Sequence, residues 1–389
     1  MRILRGQALS PHLLVARRRG GTQAFLETNA FGHYELYGSG RRALHEGLRL
    51  LRCGPGQGAL LPAYICNAAV QPFHALGMEV HFYQVLPNLE PDFADIERRV
   101  NKSSKVLLTV DYFGFPQPFK RIEEVCRSYG LYSVDDNAPS FLSRTESRLL
   151  GTFGDIGIAS LRKTLPVPNG GVLYVNGDKS RPIRAQRPPV PASLAREGPY
   201  LFDALLGYLE ARVRFPKSRL GRALRRVNHP PTSGDDRNGD SPLGPLLLQD
   251  GPSALTTRLA DRLDLESIVT ARRSNYLAWL EAVSTLDGVR PLYTELPEGV
   301  CPQVCPIVAD DPPGFAAAMR RTGVAVFQWP ELPAETRGSQ EYPLANYLAQ
   351  HVFALPVHQD VDPKYLRVAC DSIQAHLSSS HTGAREHVR

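Results

Sequence analysis

A lysine that follows an apolar run and precedes a proline–glycine turn is placed for reaction more than for solubility. Seven lysines occur among the 389 residues, and Lys163 stands inside "IGIASLRKTLPVPNGG". Burial and nearby positive charge free the lone pair of such an amine, a change arginine cannot undergo. Reading each predicted strand to its end adds further groups: Tyr64 after "ALLPA", Asp111 after "VLLTV", Asp135 and Asp136 after "LYSV", and Ser160 after "IGIA". Ligands of open parallel sheets bind outside the carboxyl ends of the strands, so these groups face one crevice. Singly, each has a plainer reading, since an Asp after a strand often caps a helix and a Tyr often belongs to the core. Together they match the needs of pyridoxal phosphate (PLP). That cofactor takes a lysine for its aldehyde, a carboxylate to keep its pyridine nitrogen protonated, a phosphate cradle and a flat group against its ring.

The stretch "GSGRRA", Gly38 to Ala43, fits G-x-G-x-x-A, the dinucleotide pattern. No acidic residue closes the following strand, "GALLPAYIC", so a nicotinamide-dependent oxidoreductase rests on that stretch alone. What survives is a small-residue turn feeding a helix N-terminus, an anion site for a phosphate group. A helix cap by Ser39 or Gly40 is the plainer alternative. P-loop, H-E-x-x-H and G-x-S-x-G motifs are absent from the sequence. Six scattered cysteines fit reduced thiols in a cytoplasmic protein. "CPQVC" has no second Cys/His pair, so no metal is expected. The net charge of +6 is spread as arginine, which disfavours nucleic acid as a partner. No run approaches the roughly 20 apolar residues of a membrane helix, and no secretory apolar region follows the N-terminus, so no membrane partner is expected.

These groups need a scaffold to hold them. From about residue 40, helical periods ("GRRALHEGLRLL", "NAAVQPFHALG", "EPDFADIERRV", "FKRIEEVCRSYG") alternate with apolar runs ("GALLPAYI", "MEVHFYQV", "KVLLTVDY", "LYSVDD", "DIGIASL", "GGVLYVN"). That alternation predicts an α/β domain with a mostly parallel sheet covered on both faces. We expect an N-terminal segment at 1–35 and a large domain at 36–252 containing a Pro/Gly-rich excursion at about 181–252. A smaller C-terminal α/β domain at 253–378 and a flexible tail at 379–389 follow. The "NHPPTSGDDRNGDSPLGP" loop within 228–252 reads as a lid, a subunit contact or a disordered insertion. "LTTRLADRLDLESIVTARRSNYLAWLEAV" reads as the helical opening of the small domain.

Taken in order, these stretches resemble the DegT/DnrJ/EryC1/StrS family of sugar aminotransferases, of PLP fold type I. "SGRRALHEGLRLLRCGPGQGALLPAYICNAAVQPFHALGMEVHFYQV" resembles its phosphate-binding helix and G-x-G-D-E-V-I-x-P strand. "VDYFGFPQPFKRIEEVCRSYGLYSVDDNAPS" resembles its H-x-Y-G-x-P turn and E-D-A-A-Q strand end, and "GDIGIASLRKTLPVPNGGVLYVN" its serine–lysine stretch. The resemblance implies a seven-stranded-type sheet between helices, with Lys163 as the Schiff-base lysine and Asp136 as the partner of the pyridinium nitrogen. It places Ser160, Gly40 and Arg41 at the phosphate and Asn169 in the turn after the lysine. Departures mark a divergent branch: S-x-x-K is short, Pro139 replaces a glutamine, Asp111 stands where histidine is common, and Cys66 falls where a ring-stacking aromatic is usual. Tyr64 is then the candidate for stacking.

The activity implied is a PLP-dependent aminotransferase moving an amino group from an amino acid, glutamate by analogy, to a keto-sugar or related small-molecule keto substrate. Polysaccharide or secondary-metabolite biosynthesis would be its setting, and a homodimer its assembly. A PLP-dependent sugar dehydratase or lyase is the alternative on the same fold, against which Lys163 argues, because that branch characteristically carries histidine there. A non-catalytic PLP-binding protein is the other. Arg273, Arg181 or a partner subunit could bind the donor's carboxylate.

Overall fold

The computed structural model describes residues 21–30, 32–176, 197–198, 200–202, 251–364 and 366–375. Most of the expected 181–252 excursion, Arg181 and the 379–389 tail lie outside the described residues. The strands are β1 (His33–Tyr37), β2 (Gly58–Pro62), β3 (Glu79–Tyr83), β4 (Ser104–Val110), β5 (Tyr132–Asn137), the small ribbon β6 (Arg144–Thr145) and β7 (Arg148–Leu149), β8 (Ile156–Ser160) and β9 (Gly171–Val175). Seven of them form one sheet in the order β1-β9-β8-β5-β4-β2-β3. Its β2–β3, β2–β4, β4–β5 and β5–β8 pairs are parallel. This is the mostly parallel α/β sheet that the alternating pattern predicts.

Two strands depart from that reading. β9 runs antiparallel to β8, and β1 antiparallel to β9. A parallel return needs a crossover of a dozen or more residues, and the segment between β8 and β9 is too short for one. β1 falls partly within the stretch expected to be an N-terminal segment. Glu35 at its centre hides the strand in sequence, yet it is buried and accepts a hydrogen bond from the Tyr37 hydroxyl.

The helices of this region are α1 (Gly21–Asn29), α2 (Gly40–Leu50), α3 (Asn67–Ala75), α4 (Phe93–Arg99), α5 (Phe119–Tyr129) and the single turn α6 (Leu161–Thr164). α2 buries Ala43, Leu44, Gly47 and Leu48, a helical spacing that lays one face on the sheet. A side chain at Gly47 would press to 2.6 Å from Ile156 and 2.8 Å from Leu173, so this glycine lets α2 seat on β8 and β9.

The C-terminal part begins with α7 (Ala254–Ala260) and α8 (Leu265–Val283). The sequence reads as one long helical period, but the Asp264 carboxylate accepts from the Ser267 amide at 3.1 Å and starts a second helix. Strands β10 (Val289–Pro291), β11 (Val304–Ala309), β12 (Phe327–Gln328) and β13 (Val352–Pro356), with helices α9 (Pro312–Thr322) and α10 (Pro343–His351), complete it. This second sheet, β10-β11-β13-β12, is wholly antiparallel. One apolar cluster runs from Leu61 and Tyr64 through Tyr276 and Trp279 to Leu355, so both sheets share a core.

Candidate active site

The site is built where the N-terminus of α2 meets the end of β8. Ser39 caps α2 by accepting from the Arg42 amide, which leaves Gly40 and Arg41 at the positive end of the helix dipole. Gly40 lies beside the end of β8, with Ser160 Cβ 3.6 Å from where a side chain would begin. Ser160 is buried at the start of α6, and its hydroxyl does not cap that turn. The turn after the lysine locks these pieces together. The Gly170 amide donates to the Gly38 carbonyl at 2.9 Å, and Leu161 donates to Gly170 at 3.0 Å. A Cβ on Gly171 would stand 2.2 Å from the Ser39 carbonyl carbon, so only glycine permits this approach. We expect Gly171→Ala to destabilise the fold by about 1–3 kcal/mol through overpacking. Thermal unfolding checks this, and a variant as stable as the parent would show that the turn yields freely.

Lys163 sits on α6, half-buried, and its amine makes no hydrogen bond or ion pair with protein among the described residues. Facing it is Asp136, 5% exposed at the end of β5, whose carboxylate accepts from the Ala138 amide at 2.9 Å. Burial raises the Asp136 carboxyl above its usual range, while the Lys163 charge and the Ala138 amide pull it back. The amine therefore acts on Asp136 through space without closing a contact ion pair. Cys66, half-buried at the start of α3, shares this neighbourhood. Burial pushes its thiol up, the Lys163 charge opposes, Asp136 adds, and the Ala69 amide and Arg41 lower it. Among the described residues, an amine without a hydrogen-bond or ion-pair partner, a buried carboxylate in its field, a hydroxyl that caps no turn and a helix N-terminus drawn close by Gly171 form a donor set that fits PLP. Lys163, Asp136, Ser160 and Gly40 are thus brought together.

Four other candidates are engaged by protein groups. Tyr64 is fully buried, donates to the Trp329 carbonyl and accepts from the Tyr112 hydroxyl through its own carbonyl at 2.6 Å. Its ring packs edge-on against Trp329 (5.4 Å, 82°) and tilted against Tyr112 (5.7 Å), so it has no free face for a cofactor ring. With Phe113 these aromatics join the large sheet to the C-terminal part. Asn169 turns away from the site. Its carboxamide oxygen accepts from the Ser253 amide at 3.1 Å and the Thr256 hydroxyl at 2.6 Å, fastening the turn to the start of α7. Arg273 donates to the carbonyls of Pro297 and Val300 and so braces a loop. Arg41 is modified rather than displaced: its guanidinium reaches Gln71 of α3 at 2.7 Å while its charge still acts at Cys66.

Sequence reasoning passed over Arg272, the neighbour of Arg273. It is 1% exposed and donates to the carbonyls of Thr164 (3.0 Å), Pro302 (3.1 Å) and Gln303 (3.1 Å), bolting the turn that carries Lys163 to the second sheet. Its helical register on the buried face of α8 was the available signal. For Tyr64→Phe, the unpartnered Trp329 carbonyl should cost about 1–3 kcal/mol in chemical denaturation. The visible spectrum of a PLP-loaded sample should stay unchanged, and a shifted band would restore the stacking role.

Residues 30–184 match the DegT/DnrJ/EryC1/StrS aminotransferase family. The dTDP-4-dehydro-2,3,6-trideoxy-D-glucose 4-aminotransferase of Saccharopolyspora spinosa is 32% identical over 152 residues, 38% of this chain and 39% of that protein. The GDP-perosamine synthase of Vibrio cholerae is 26% identical over 157 residues, 40% and 43% of the two chains. The matched region thus spans about two fifths of the length of these curated relatives. The crystal structure of the aminotransferase TlmJ from Streptoalloteichus hindustanus superposes with a TM-score of 0.70 over 98% of this chain and 100% of that one, at 19% identity. That likeness establishes the fold and bears out the fold class expected from the sequence.

Proposed function

We propose, from a chain whose residues 30–184 match the DegT/DnrJ/EryC1/StrS aminotransferase family, that this protein is a PLP-dependent aminotransferase acting on a keto-sugar. The observation that carries the reading is the Lys163 amine, which makes no hydrogen bond or ion pair among the described residues, with its charge acting on the buried Asp136 carboxylate near the N-terminus of α2. The amino donor is glutamate in this reading, the working unit a cytoplasmic homodimer, and the acceptor a keto-sugar on a nucleotide carrier. The similarity to a dTDP-4-dehydro-2,3,6-trideoxy-D-glucose 4-aminotransferase and a GDP-perosamine synthase supports that acceptor class. Among the described residues no helix is long and apolar enough to cross a membrane. We keep the division into a large domain at 36–252 and a small domain at 253–378.

PLP, when bound, supplies an electron sink for charge that develops at the α-carbon of an amino compound. Asp136 supports it by holding a proton on a ring nitrogen, a task that needs the carboxylate ionised. The Ala138 amide and the Lys163 charge favour that form against burial. The Ser160 hydroxyl and the Gly40 end of α2 offer hydrogen bonds and a positive dipole to a phosphate. Lys163 Nζ is the group placed to take the proton from the donor's α-carbon and to return it at the acceptor. A short turn anchored by Arg272 suits this role, because it fixes the amine's base while leaving the side chain free to swing.

The test is an absorption spectrum of purified, PLP-loaded protein and of Lys163→Ala, before and after L-glutamate. A visible band in the parent that glutamate removes, and that the variant lacks, supports the reading. No band with added PLP would end it. A band that glutamate leaves untouched would remove the donor assignment.

A further inference from the structure

Behind Asp136 lie two carboxyls that the proposed chemistry does not use. β4 and β5 pair in register with Thr109 opposite Asp135 and Val110 opposite Asp136. Successive strand residues face opposite sides, so Asp135 and Asp136 diverge, and Asp111, one residue past Val110, falls on the side of Asp135. The Asp111 amide donates to the Asp136 carbonyl at 3.1 Å, and the Ser140 hydroxyl donates to the Asp111 carbonyl, which fixes its backbone. Its carboxyl is fully buried, and among the described residues neither oxygen receives a complete hydrogen bond from an amide, hydroxyl or cation. Asp135, 2% exposed, accepts from the Gly151 amide at 2.8 Å, with its other oxygen left over.

We propose that Asp111 and Asp135 hold one proton between them, carried on Asp111 and donated to Asp135, and that this pair positions Asp136 as the working carboxylate of the site. The second half rests on the aminotransferase reading; the first does not. Two ionised carboxylates on one face of neighbouring strands, both buried and with a third on the next residue, could not persist. One shared proton removes one charge and engages one orphaned oxygen of each residue. The groups facing the pair agree. Asp111 meets Asp135 and Asp136 from β5, the Gln117 amide before α5 and the Tyr293 phenol after β10. Asp135 meets the Gly151 and Phe153 amides, the Tyr174 phenol of β9 and the Arg148 charge from β7. Burial, then the charge of Asp135 and the hydrogen bond to it, then Asp136, push Asp111 well above the usual carboxylate range. Asp135 is also raised, burial first, but the hydrogen bond from Asp111 and the Gly151 amide hold it lower.

The sign of the pH effect follows. The folded chain keeps a proton that the unfolded chain loses above about 3.9. Stability from the pair is therefore full below that value and is lost as pH rises through the raised folded range. Asp111→Asn keeps an N–H donor toward Asp135 without the proton. Relative to the parent it should gain up to about tenfold in folding constant per pH unit over that rise.

Infrared spectroscopy of the purified full-length chain at pH 7.5 tests the pair without any cofactor. The expected result is a protonated-carboxyl carbonyl band that disappears in Asp111→Asn and shifts in frequency in Asp135→Asn, where the buried Asp111 keeps its proton but loses the carboxylate that accepts from it. A parent without the band overturns the pair even if one variant fails to fold. For the positioning role, Asp111→Asn should stay within a few-fold of parental turnover with its acid limb preserved, while Asp111→Ala falls at least tenfold. Equal damage in both variants would overturn the role, because it would mean that an ionised Asp111 is required. If the infrared band is present but no form of the protein takes up PLP, the aminotransferase reading fails and the proton-sharing pair stands.

Discussion

Lys163→Ala is expected to lower turnover by at least about 10³-fold while leaving the fold intact, since positioned proton transfer alone contributes about 10²–10⁴. The amine is half-buried and makes no hydrogen bond or ion pair among the described residues, so its removal should barely move thermal unfolding. Turnover measured under amino-donor saturation, beside circular dichroism of the same sample, separates chemistry from stability. Lys163→Arg should be as inactive as alanine, because a guanidinium stays protonated at any working pH and offers no lone pair. An alanine variant retaining a tenth of parental turnover would remove Lys163 from the proton-transfer role.

The second large effect is expected at Asp136→Asn. The amide keeps the shape and can still accept from Ala138, whose amide lies 2.9 Å away, but it loses the charge. A buried ionic partner to a protonated ring nitrogen acts where water cannot screen it, so a loss of about 10²–10³ in turnover is expected, as for removal of a single preorganised electrostatic group. Burial holds the parental Asp136 carboxyl above its ordinary range, so protonation on the acid side should cut activity as pH falls. The asparagine variant should lose that limb of the profile along with the rate. A variant with parental rate and an unchanged acid limb would assign the limb to another group and refute the role given to Asp136.

Much of the scaffold was legible in the chain. α2 could be read from the spacing of Ala43, Leu44, Gly47 and Leu48, and β4 and β5 from their apolar runs, because one buried face imposes its period on local sequence. Lys163, Asp136, Ser160 and Gly40 could be read too, since strand ends and helix starts of a parallel sheet gather on one edge whatever surrounds them. What each side chain touches across a long separation was decided by the tertiary structure alone. Nothing near Tyr64 in sequence announces Trp329, nothing near Asn169 announces Thr256, and the helical register that buries Arg272 on α8 does not announce its bond to Thr164. The antiparallel return of β9 and the pairing of β1 likewise depend on connection length and on a buried Glu35 that a hydrophobic pattern hides. Asp111 is the sharpest case. Its type is visible in the sequence, but its full burial and its place beside Asp135 on the neighbouring strand are brought about only by packing.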